Sequence, residues 1–199
     1  MKVAIRETIN MSWPTIAIVV AILIIMRVAY LINGERKKFI LHEELFTLMF
    51  IVYLLILFRL VTSQDLPGGG TNLTPFKEIM RYKVGTSSFY RQVVGNILLF
   101  IPLGYFATSF CKIKKLWGIT VVSLLSSFTI ECVQHFIGRS FDIDDIILNV
   151  VGGICGFLLY IGLNAIRNHL PKIFRRNWFY NLLSIAIIVI GVLCLLKII

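Results

Sequence analysis

Apolar residues fill this chain in long blocks separated by short polar stretches, most of them basic. Six blocks stand out: Trp13–Ile32, Leu45–Val61, Val93–Phe110, Leu116–Ile137, Ile146–Ile166 and Phe179–Lys197. Each reaches or approaches the ~20 residues that an α-helix needs to cross the hydrocarbon of a bilayer. Lipid offers no hydrogen-bond partners, so these blocks are predicted as helices that close their own backbone bonds. The second is the shortest and carries Arg59 near its end. The first does not read as a cleaved signal peptide: its apolar run is long, it contains Arg27, and no small-residue cleavage site follows. The pattern predicts an all-α fold, a polytopic integral membrane helical bundle of about six transmembrane helices.

The connections add orientation. Three are short and basic (residues 33–44, 111–115 and 167–178), one is longer (62–92), and one is the compact turn 138–145. The run Pro67-Gly68-Gly69-Gly70 reads as a flexible linker, since no Gly-Lys-Ser/Thr follows to make a phosphate loop. With six spans, one side collects eight Lys and Arg and the other ten, the ten packed densely into the three short loops. Density in short loops orients helices, which puts those loops in the cytoplasm and the long loop and the 138–145 turn outside.

Composition agrees with a membrane protein. Of 199 residues, 58% are hydrophobic and 15% charged, well away from soluble averages and from disorder. The net charge of +10 sits in clusters such as Glu35-Arg36-Lys37-Lys38 and Lys112-Ile113-Lys114-Lys115. That is the arrangement of juxtamembrane loops facing anionic lipid, and no nucleic-acid partner is expected. Cys111, Cys132, Cys155 and Cys194 lie in or beside apolar runs with no CxxC, so they read as packing residues rather than disulfides or metal ligands. No cofactor is expected.

Ionisable groups inside spans are costly and point to function. The fourth block holds Glu131, Gln134 and His135, at the i, i+3, i+4 spacing of one helical face. Glu131 lies roughly 9 Å below the helix end at ~1.5 Å per residue. A carboxylate at that depth needs a cation, a donor network or a bound proton. Arg139 follows, then Asp142, Asp145 and Asn149 on one face of the next helix, while Asn96 opens the third block. All fall on one side of the membrane, so Asn96, Glu131, Gln134, Arg139, Asp142, Asp145 and Asn149 are expected to meet in one pocket. Simpler roles compete: Asp142 and Asp145 as helix caps, Asn96 and Asn149 as interhelical glue, and His135 as a packed neutral side chain. Gly152 and Gly156 give the small-xxx-small spacing of close helix packing, and Pro102 with Gly104 is expected to bend the third helix.

These residues carry a resemblance. Asn72-Leu73-Thr74-Pro75-Phe76, the run Asn96 to Gly104, Glu131-x-x-Gln134 and the series Gly138-Arg139, Asp142, Asp145, Asn149, Gly152, Gly156 are similar, in order and spacing, to the bacterial VanZ-like membrane proteins. The likeness covers about residues 72–160 and leaves the first two helices and the last outside it. It implies a link to lowered susceptibility to teicoplanin and related lipoglycopeptides, without specifying a reaction. The chain is accordingly divided into 1–71 (two helices), 72–162 (a three-helix core with the pocket) and 163–199 (a basic loop and a last helix).

Three functions compete. In the first, a multi-pass protein of the bacterial cell membrane binds a membrane lipid or lipid-linked cell-wall precursor in an outer-leaflet pocket, with Arg139 taking phosphate. In the second, a membrane-embedded enzyme acts on a lipid or wall precursor, with Glu131 as acid or base and Asp142 and Asp145 as candidate Mg²⁺ ligands. No HExxH, GxSxG or paired-histidine signature supports catalysis. In the third, a proton-coupled transporter, polar groups would be needed in both leaflets, and they cluster in one. Oligomeric state is not legible.

Overall fold

In a computed structural model of the chain, residues 40–62 and 70–195 are described, the first apolar block and most of the glycine run lying outside them. Four helices there are long and apolar enough to cross a membrane: α1 (Leu41–Thr62), α3 (Ser87–Cys111), α4 (Leu116–Phe136) and α5 (Ile143–His169). Between the first two lie a two-residue strand β1 (Thr71–Asn72) and a short helix α2 (Lys77–Arg81). A second short strand, β2 (Phe141–Asp142), separates α4 from α5, and α6 (Asn177–Leu195) covers most of the sixth block. Leu98, Leu125, Phe128 and Leu158 stand exposed on these helices, as side chains facing lipid would.

Residues 54–62 and 70–162 belong to one compact unit, and residues 40–53 and 163–195 to another. In the second, His42 joins Asn181 through its backbone N–H (3.0 Å) and ring Nδ1 (2.8 Å), and the Arg167 guanidinium lies 5.2 Å from the Tyr180 ring centre. The first unit carries the polar residues of interest.

Small residues let its helices approach. A Cβ on Gly152 would sit 2.9 Å from Phe100 Cβ, and one on Gly156 would sit 2.7 Å from Tyr105 N and 3.0 Å from Gly104 Cα. Gly104 itself opposes the Gly153 backbone, and Gly153 opposes Ser123 of α4. Thus α3, α4 and α5 meet along a seam without side-chain volume. Gly104 lets α5 approach α3 closely. Beside the seam, Ala107, Ile119 and Phe157, one from each helix, form a buried apolar cluster.

The long loop is more structured than its composition suggested. α3 begins at Ser87, ahead of the predicted Val93, and winds through a π-turn at Tyr90–Val94 before becoming regular. Strand β1 pairs parallel with β2, Thr71 opposite Phe141 and Asn72 opposite Asp142. The loop and the 138–145 turn therefore lie at the same end of the bundle.

Candidate functional site

The end of α4 sets the geometry. Gly138 takes φ 88°, a left-handed conformation that suits glycine. Its N–H bonds His135 O, and the Arg139 N–H bonds Gln134 O at 2.9 Å. This Schellman-type stop folds the chain back so that Arg139 lies over the last turn of α4. With the Gln134 amide turned to suit both neighbours, its Nε2 donates to Glu131 Oε1 (3.0 Å) and its oxygen accepts from Arg139 Nη1 (3.2 Å). The second Glu131 oxygen accepts from the Asp142 N–H at 2.9 Å. Glu131, within α4, is 1% exposed, and this network gives each of its oxygens a donor.

Across from it, Asn96 Nδ2 donates to Asp145 Oδ1, and Asn149 Nδ2 donates to Ser127 Oγ at 2.9 Å. A cavity of about 90 Å³, room for several waters, lies among these groups. Its polar wall is Gln92, Asn96, Glu131, Gln134, Arg139, Asp145 and Asn149. Its apolar wall is Leu57 and Leu60 of α1, Leu99 and Phe100 of α3, and Ile130 of α4. Six of the seven expected site residues meet here.

Asp142 does not line the cavity, and it lies on β2 rather than on the opening turn of α5. Its Oδ1 accepts from Asn72 Nδ2 (2.8 Å) and from the Asp144 N–H (2.9 Å), which makes it a cap and a clasp. Burial raises its pKa from the ordinary 3.8, more than its hydrogen bonds lower it. His135 is exposed and edge-on to Phe141, not packed and not in the cavity. Among the described residues no three His, Cys, Asp or Glu side chains gather as a metal site.

Two participants escaped the sequence reading. Asp144, 1% exposed, accepts the backbone N–H groups of Phe76, Glu78 (2.7 Å) and Ile79 (3.2 Å). It thereby caps α2 from 65 to 68 residues away and fixes the loop beside the cavity. Its signal was faint: one more acidic residue in a helix's first turn. Gln92 enters the wall because α3 starts early and its π-turn rotates that stretch.

This arrangement of glutamate, amide and arginine at a glycine-stopped helix end coincides with the motifs noted in the sequence. Residues 45–167 match the family model described as VanZ/LLP1. The chain belongs to the VanZ/LLP1 family. It is also 30% identical over 149 residues to Protein VanZ of Enterococcus faecium, an alignment covering 73% of this chain and 86% of the relative. The VanZ/LLP1 match starts at residue 45 and so takes in most of α1, a helix the sequence motifs had left outside the resemblance. The structure gives α1 a place in it, since Leu57 and Leu60 wall the cavity. No solved structure matches the chain.

Proposed function

We propose that this VanZ/LLP1 protein crosses a bacterial cell membrane six times and lowers susceptibility to teicoplanin and related lipoglycopeptides by holding a membrane lipid or lipid-linked cell-wall precursor in its polar cavity. The reading is supported chiefly by one observation: α3, α4, the turn after it and α5 bring Asn96, Glu131, Gln134, Arg139, Asp145 and Asn149 around a cavity where lipid tails alone would be expected. The basic density of the three short loops supports placing the cavity in the outer leaflet. A ligand there would be reached from the surface at which these antibiotics act. Arg139, poised over the end of α4, suits the anionic portion of such a ligand.

The test uses the full chain in lipid nanodiscs with two probes: vesicles containing phosphatidylglycerol, and a lipid-linked disaccharide-peptide precursor. Binding to either that weakens at least tenfold in Arg139→Ala, with loss of teicoplanin protection in cells, is the expected result. Absence of binding, or binding indifferent to Arg139→Ala, overturns the proposal.

A further inference from the structure

The charge inventory of the cavity runs against that of the chain. Lys and Arg outnumber Asp and Glu by 20 to 10 over the sequence, yet the cavity wall holds two carboxylates, Glu131 and Asp145, and one guanidinium, Arg139. Asp142 and Asp144 adjoin it, but protein donors already serve both. Glu131 is likewise served on each oxygen, by Gln134 and by the Asp142 N–H, and Gln134 joins it to Arg139.

Two acceptors are left over. Asp145 gives Oδ1 to Asn96, and its other oxygen takes no donor among the described residues. Asn149, one helical turn further along α5 and 5% exposed, spends its Nδ2 on Ser127 Oγ. Its Oδ1 receives no donor among the described residues, and the residue lines the cavity. Neither oxygen is among the buried side-chain atoms that lack a partner, so both stay open to the cavity, where Arg139 is the one guanidinium in a wall with two carboxylates. The chemistry that answers both is a small cation carrying several N–H donors. A bare divalent cation answers less well, because no three acidic or imidazole groups gather around the cavity among the described residues.

We infer that the cavity takes a primary ammonium group, bound by Asp145 and Asn149, with Arg139 beside it for an anionic portion of the same molecule. This rests on the ligand-binding reading above and names the chemistry of the ligand. Two sources carry that chemistry at a cell surface: an aminoethyl lipid headgroup and the side-chain amine of a lysine-containing peptide. A quaternary amine keeps the charge and lacks the N–H donors, so it separates hydrogen bonding from simple attraction.

The test measures binding by the purified full chain in detergent. Probes are dihexanoyl-phosphatidylethanolamine, its N-acetyl form, dihexanoyl-phosphatidylcholine, dihexanoyl-phosphatidylglycerol, and a lysine-containing tripeptide with its side-chain amine free or acetylated. A free-amine probe binding at least tenfold more tightly than its blocked counterparts is expected, and Asp145→Asn should remove that preference. Preference for the lipid alone or the peptide alone identifies the source, and either supports the inference. Equal binding of free and blocked amines, or Arg139-dependent binding of phosphatidylglycerol alone, overturns the ammonium site while leaving a ligand-binding cavity. Failure of every probe overturns the ammonium site, and failure of the lipid-linked disaccharide-peptide precursor as well overturns the ligand-binding reading. Comparison of free and blocked amines needs no variant, so poor folding of Asp145→Asn does not blunt it.

Discussion

Glu131→Gln changes little in size and much in bonding. The carboxylate offers two acceptor oxygens, and Gln134 Nε2 and the Asp142 N–H use one each, at 3.0 and 2.9 Å. A glutamine offers one acceptor and one NH₂. If the NH₂ faces Asp142, that backbone N–H loses its partner. If it faces Gln134, the Gln134 amide must turn to accept, and its own NH₂ then meets Arg139, whose Nη1 it had accepted at 3.2 Å. One buried donor is stranded in either orientation, at a cost of about 1–3 kcal/mol. In a chain of this size each kcal/mol lowers the melting temperature by about 2–4 °C. Thermal unfolding in detergent, run as a double-mutant cycle with Gln134→Ala, should give a coupling of roughly 0.5–3 kcal/mol. Cells expressing the folded Glu131→Gln protein should lose teicoplanin protection. A variant that melts with the parent, couples to nothing and protects fully would refute the network and its part in function together.

Two further outcomes follow from packing and from titration. Gly156→Ala drives a methyl group to 2.7 Å from Tyr105 N and 3.0 Å from Gly104 Cα, both backbone. It should therefore cost about 1–3 kcal/mol, whereas Gly162→Ala meets nothing within 4 Å and should be neutral or stabilising. Equal melting of the two variants would contradict the seam. Asp142 has its folded pKa raised above 3.8 by burial, so the folded chain holds that proton to higher pH than the unfolded chain does. Its ionisation penalty is absent below 3.8 and grows as pH rises through the raised folded value. Asp142→Asn should thus gain in melting temperature relative to the parent as pH climbs from about 3.5, by the linkage relation. A difference that shrinks with rising pH would contradict it.

The spans were legible because hydrocarbon imposes one requirement on every residue of a segment, and a run of Leu, Ile, Val and Phe reports it without tertiary context. The deep polar residues were legible for the converse reason: Glu131 and Asp145 are expensive where they stand, so their presence implies partners. What escaped depended on contacts distant in sequence. Asp144 looks like any acid near a helix start until Phe76, Glu78 and Ile79 are seen to donate to it. The loop's strand needs a partner 70 positions away, and two residues carry no periodicity by which to find it. Asp142, Asp145 and Asn149 share helical spacing, but the helix begins at Ile143, so the first of them fell to a different role.

The pairing of Thr71–Asn72 with Phe141–Asp142 also dictates an order of assembly. Its two halves are separated by α3 and α4, so the pair can close only after both helices have been made. The wall contributed by α5 arrives later still in synthesis. A chain halted after α4 would expose Glu131 to lipid without the Asp142 N–H, and its early loop without the Asp144 carboxylate that fixes it. The cavity wall is therefore complete only once α5 has been made, and until then Glu131 lacks one of the two donors that serve its oxygens.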